Sequence, residues 1–173
     1  MGRIQETFLH LEKLKKKALV GYIVSGDPDV SSTLNAMQLM VKGGVHVIEL
    51  GIAFSDPMAE GPSIQKGHER ALKNKISLQD TLSLVKIFRE EDDKTPIVLM
   101  GYMNTFEALG SKVFSSTAKE NGVDGILIVD MPIEESAEFT EQTKKHDIDV
   151  IRLVAPTTSE SRIKKICDQA SGY

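Results

Sequence analysis

Hydrophobic and polar positions along the chain switch between two periods, and the switch repeats. Near the start, Ile4, Phe8, Leu11 and Leu14 recur at three- and four-residue steps, the spacing of an amphipathic helix laid against a surface. The run A-L-V-G-Y-I-V then loses its polar positions and closes at S-G-D-P. Runs apolar on both faces suit parallel strands, because helices cover such a sheet on each side. Asp29 or Ser31 can cap a following helix through Leu34, Met37, Met40 and Val41, which stops at Gly43-Gly44.

The same alternation recurs four more times. V-H-V-I-E-L is a strand whose loop leads into helical sequence over about 64–73, and a second helix over about 78–91 follows N-K-I-S. P-I-V-L-M-G-Y is a third strand, with a helix over about 107–121 that ends at Gly122. G-I-L-I-V-D is the fourth, with a helix over about 134–145, and V-I-R-L-V-A the fifth, with a helix over about 159–169. Strands alternating with helices of this length imply right-handed βαβ units and a parallel sheet.

Two architectures share this pattern: an open doubly wound sheet and a (β/α) barrel. The first strand-to-helix turn lacks G-x-G-x-x-G, and no G-x-x-x-x-G-K-[ST] loop occurs. Polar residues instead gather at the C-terminal ends of several strands: Asp27, Glu49, Tyr102 and Asp130. A barrel carries its chemistry on that one face, so the expected fold is α/β, of the (β/α)8 TIM-barrel type. Such a barrel takes roughly 250 residues and eight strands, so residues 1–173 are expected to form a single domain with about five βα units, incomplete at its C-terminal end.

Composition narrows the function classes. Lys+Arg 21 against Asp+Glu 25 gives a net charge of -4, which offers no electrostatic reason to bind nucleic acid. The one basic cluster, Lys13 to Lys17, is short and reads as the solvated end of a helix. A single cysteine, Cys167, excludes an internal disulfide framework and fits a reducing compartment. The N-terminus has no apolar secretory core, and no apolar run reaches the ~18 residues that cross a bilayer. A cytoplasmic protein without a membrane partner is expected. His10, His46, His68 and His146 form no H-E-x-x-H set, so no metal is expected.

The densest chemistry lies in E-L-G-I-A-F-S-D-P-M-A-E-G-P-S-I-Q, from Glu49 to Gln65. A carboxylate at the end of a strand stands beside a turn rich in Gly and Pro that carries Asp56 and Glu60. Acids placed in this way can form a general acid/base pair. Together with G-Y-I-V-S-G-D-P, M-G-Y-M-N and V-D-M-P-I-E-E-S, the segment resembles the tryptophan synthase alpha-subunit family along essentially the whole chain.

That resemblance implies a (β/α)8 barrel that cleaves indole-3-glycerol phosphate to indole and glyceraldehyde 3-phosphate. The indole passes to a beta subunit in an alpha2-beta2 heterotetramer. The alpha subunit itself would need no cofactor, while the beta partner would carry pyridoxal phosphate. Glu49 falls on the family's principal acid/base, which protonates indole C3 and takes the proton of the glycerol hydroxyl. Glu60 falls where the family has Asp, on the group that holds the indole N–H. Tyr22, Met100, Tyr102, Leu127 and Val129 match positions lining the indole pocket, although plain core filling would also explain Met100 and Leu127. Ala53, which replaces a common Pro, and Asp56, Pro57 and Asn104 match positions at the beta-subunit interface. Asp130 reads as a cap for the helix after its strand.

The longer Glu60 leaves a second reading open, a catalytically weak or inactive alpha-type subunit that binds and activates its beta partner. In the family the substrate phosphate is gripped after the sixth, seventh and eighth strands. Five strands alone are therefore expected to give no measurable turnover.

Overall fold

The computed structural model describes residues 1–173. Five parallel strands pair in chain order: β1 (Val20–Val24), β2 (Val47–Gly51), β3 (Ile97–Gly101), β4 (Gly125–Ile128) and β5 (Asp149–Ile151). The helices are α1 (Arg3–Lys13), α2 (Val30–Lys42), α3 (Pro62–Lys73), α4 (Leu78–Arg89), α5 (Met103–Glu107), α6 (Ser111–Glu120), α7 (Ala137–Lys145) and α8 (Glu160–Cys167). The strand order and the intervening helices are those of consecutive βα units of a barrel.

Several boundaries follow from identifiable local chemistry. Asp29 caps α2, its carboxylate accepting from the Ser32 N–H at 2.7 Å. Ser77 and Asp80 form a reciprocal capping box that starts α4. Pro62, at the first position of α3, has no N–H to leave unpaired there.

Other expectations need correction. The helix expected over about 107–121 is two, because Gly110 takes φ 75° between α5 and α6. The helix expected from about 134 begins instead as a 3-10 turn, Ile133–Glu135, before α7. β1 is half-buried rather than fully covered, since it has a strand neighbour on one side only. β5 is three residues long and keeps only Val150 and Ile151 of the expected run, because Arg152 turns away to donate to the hydroxyls of Ser136 and Thr140 at 2.7 and 3.0 Å. Beyond it, Leu153 and Val154 are exposed.

The two faces of the sheet are packed differently. On the outer face Ile48, Leu50, Ile97, Leu99, Ile126 and Ile128 meet the helices in one apolar cluster, where Phe114 and Phe139 stack and Phe106 packs edge-on against both. On the inner face a smaller cluster joins Val47, Val98, Leu127 and Ile151 to Ile4 of α1. Beside α1, buried Asp124 binds Arg3 and Arg89 at 2.9 and 2.7 Å and accepts from the Ile97 N–H at 2.9 Å. That hub pins α1 and α4 to the start of β3 and β4.

Candidate active site

The inner face carries the polar side chains. Strand register sets Tyr22, Glu49, Val98, Gly125 and Asp149 in one row, and Val24, Gly51, Met100, Leu127 and Ile151 in the next. Glu49 is thus the middle residue of β2 rather than its end, and it is half-buried. Sequence placed it at the strand terminus because the apolar run breaks there. Pairing continues to Gly51, since Glu49 projects from a ladder that its own backbone keeps intact. Tyr173 donates to Glu49 Oε1 at 2.6 Å and stacks on Phe8 of α1 at 5.6 Å. Burial, then the bond to Glu49, pushes the Tyr173 phenol well above its usual range, so it stays a donor.

Tyr22 lies across β2 beside Glu49. Gly51 makes this possible: a Cβ there would stand 2.2 Å from the Tyr22 hydroxyl. Burial pushes the Tyr22 phenol up, followed by the charges of Glu60, Tyr102 and Glu49. Both acids therefore act on the same phenol.

Glu60 comes from the loop between β2 and α3 and is half-buried rather than pointing to solvent. The Tyr102 hydroxyl donates to its Oε2 while accepting from the Ala59 N–H at 3.0 Å. Gln65 donates to the Glu60 carbonyl at 2.9 Å, and the Phe54 ring stacks on Tyr102 at 4.9 Å. Tyr102 is 1% exposed, and its phenol is pushed up to about 12, by burial first and then by Glu60. One tyrosine thus fixes both the loop backbone and the loop acid.

The remaining expected residues divide. Met100, Leu127 and Val129 pack with the inner apolar cluster, Met100 and Leu127 in the row that follows Glu49 toward the C-terminal ends of the strands. Asp56 is exposed and bonded to Ser55 at 2.6 Å, Pro57 closes a turn to the Glu60 N–H at 3.1 Å, and Ala53 is half-buried at the loop base. Asn104 is exposed and sits within α5. Asp130 does not cap the helix after its own strand. Its Oδ1 accepts from the Met103 N–H at 2.8 Å and so caps α5, on the neighbouring unit. A sequence argument assigns a cap to the nearest helix in the chain; here the nearest in space belongs to β3.

Two residues at the site were not singled out from sequence. His68 on α3 is 2% exposed and touches both Tyr22 and the Phe54 backbone. Its signal was present: Ile64, His68 and Ala71 share helical spacing, so the ring falls on the covered side. Tyr173 meets Glu49 across 124 residues of chain, and no local pattern encodes that contact.

No group of three or more His, Cys, Asp or Glu side chains converges as a metal cage, and no helix is long and apolar enough to cross a membrane. Consecutive parallel βα units, with paired acids and tyrosines gathered on the inner face, define a barrel of the enzyme-bearing type.

Residues 8–173 match the family model described as tryptophan synthase alpha chain. The tryptophan synthase alpha chain of Paraburkholderia phymatum is 52% identical over 173 residues, and that of Thioalkalivibrio sulfidiphilus 48%. The crystal structure of tryptophan synthase subunit alpha from Legionella pneumophila superposes with a TM-score of 0.97 at 45% identity, covering 100% of this chain and 66% of that one. An alpha subunit structure of the Pyrococcus furiosus a2b2 complex gives 0.84 at 45% identity, with 89% of this chain and 65% of that chain covered. The chain belongs to the tryptophan synthase alpha chain family, which serves tryptophan biosynthesis. It spans 64% and 65% of the length of the two curated relatives, all of it matched.

Proposed function

We propose that this chain carries the proton-transfer groups of an indole-3-glycerol phosphate lyase, with Glu49 as acid/base and Glu60 as the group that holds the indole nitrogen. The observation that carries the reading is that each acid is held by a phenol, Glu49 by Tyr173 at 2.6 Å and Glu60 by Tyr102, with Tyr22 paired beside Glu49 on the neighbouring strand. The reaction is a retro-aldol cleavage. Glu49 in its protonated form delivers its proton to indole C3 and, as the carboxylate, takes the proton of the glycerol hydroxyl next to the ring. The carbon–carbon bond then breaks, giving indole and glyceraldehyde 3-phosphate. Protonation at C3 places positive charge on the ring nitrogen, and an N–H donating to a carboxylate stabilises that charge. One Glu60 oxygen is engaged by Tyr102, which leaves the other to accept from the indole.

In this reading Met100, Leu127 and Val129 supply the apolar wall for the ring. Residues 1–173 act as one barrel-type unit in the cytoplasm, without a cofactor of their own. Ala53, Asp56, Pro57 and Asn104 face a beta subunit in an alpha2-beta2 assembly, where pyridoxal phosphate belongs to the partner. Met58, 76% exposed on the same loop, offers that partner an apolar contact. This exposed methionine also favours the second reading, a weak or inactive subunit that docks on the beta subunit and activates it.

Indole release from indole-3-glycerol phosphate, measured with and without a beta subunit, tests both. Because five strands alone are expected to release none, the lyase reading is tested in a full-length alpha chain carrying these 173 residues, where release should vanish in Glu49→Gln and fall roughly a hundredfold in Glu60→Ala. No release from any form, with faster beta-subunit turnover when the chain is added, would leave only the docking reading.

A further inference from the structure

We propose that His68 is a positioning residue, one that clamps the acid-bearing loop to α3 and aims the Tyr22 phenol at the inner face. His68 Nδ1 accepts from the Phe54 N–H at 3.0 Å. A backbone N–H can only donate, so Nδ1 carries no proton and the neutral ring holds its hydrogen on Nε2. Nε2 stands 3.5 Å from the Tyr22 hydroxyl, at the long end of hydrogen-bond reach. The imidazole donates there and the phenol oxygen accepts. Tyr22 therefore keeps its own O–H free for the side on which Glu49 and Glu60 act.

The second consequence concerns the loop. Phe54 is its first anchored residue, with its backbone on His68 and its ring on Tyr102. Tyr102 in turn receives the Ala59 N–H and holds Glu60. The loop is thus fastened at both ends, by His68 on α3 and by Tyr102 beyond β3. A clamp of this kind fixes the reach of a glutamate, which has one methylene more than aspartate and one more bond to hold still.

The charge state matters to the clamp. Burial holds His68 below the usual imidazole range, against the opposing pull of Glu60 and Asp27. Asp27 comes from the loop after β1 and is itself bound by Arg70 at 2.6 and 2.8 Å, while Tyr22 of β1 faces Nε2. Protonation at Nδ1 would set one N–H against another and release Phe54.

The catalytic consequence rests on the lyase reading, but the clamp itself does not, and the test uses no substrate. Nitrogen NMR of His68 in the chain is expected to report the Nε2–H tautomer near neutral pH. Amide hydrogen exchange is expected to speed up at Phe54 by roughly tenfold or more in His68→Leu, with Leu50 and Ile97 unchanged. In His68→Asn, whose side-chain oxygen restores the acceptor for Phe54 but not the donor to Tyr22, protection is expected to return to within about threefold. An Nδ1–H tautomer, or equal protection of Phe54 in all three proteins, would overturn the proposal. Should His68→Leu fail to fold, the tautomer and the His68→Asn exchange still decide it. A clamp that behaves as described, in a full-length alpha chain carrying these residues that releases no indole, would defeat the lyase reading alone.

Discussion

The two faces of the five-stranded sheet are built from alternate residues of the same strands, yet they follow different rules. On the outer face every strand residue that meets a helix is apolar, and the cluster from Met37 to Ile148 is closed to water. On the inner face the apolar side chains of Val47, Val98, Leu127 and Ile151 are interleaved with phenols and carboxylates, Tyr22 and Glu49 standing in the same row as Val98. The difference teaches where stability and chemistry are kept apart. A carboxylate on the outer face would lose its hydration with no partner. On the inner face Glu49 and Glu60 each have a tyrosine that replaces part of that hydration. The outer layer can thus carry most of the folding free energy, while the inner one holds groups that destabilise unless they are paired.

Substitutions on the two faces should therefore read differently. The largest effect is expected from Phe106→Ala on the outer face. It removes a fully buried ring that packs edge-on against Phe114 and Phe139, and should lower stability by about 3–5 kcal/mol in urea unfolding. A smaller loss would mean that the outer layer is not where the fold is held.

Tyr102→Phe should cost less, about 1–2 kcal/mol, because it leaves the Ala59 N–H and the Glu60 carboxylate without their shared partner while the ring stack with Phe54 survives. This variant also has a pH signature. The Tyr102 phenol moves from 10.0 in the unfolded chain to about 12 in the folded one. The folded state therefore binds its proton more tightly, and the stabilisation is complete below pH 10.0 and lost as pH rises toward about 12. Unfolding midpoints across that window should fall more gently in Tyr102→Phe than in the parent.

Tyr173→Phe is expected to be the mildest, at most about 1 kcal/mol, since Tyr173 is 38% exposed and water can take over the bond to Glu49. If it proved as damaging as Phe106→Ala, the division between a stabilising outer face and a chemical inner face would be wrong.

Much of the architecture was readable because periodicity reports directly on which faces are covered. The five strands, the cap at Asp29 and the stop at Gly43-Gly44 all depend on residues within a few positions of one another. The errors arose where a partner came from elsewhere. β5 was read too long because Arg152 finds hydroxyls on α7, and the helix over about 107–121 was read as one because Gly110 does not by itself announce a left-handed turn. Asp130 was assigned to the wrong helix for the same reason, since its acceptor serves Met103 on the adjacent unit.

For the site, sequence named both acids, Tyr22 and Tyr102, because their motifs are contiguous. It passed over His68, whose meaning depends on what α3 rests against, and Tyr173, which reaches Glu49 from the far end of the chain. Local order of residues determined the alternation of strands and helices, the caps and the family of this protein. Those features are set by backbone preference and by which side of each element sheds water. Folding in three dimensions decided which phenol serves which acid, because hydrogen bonds span only a few ångströms and their partners here lie as far apart as 124 residues along the chain.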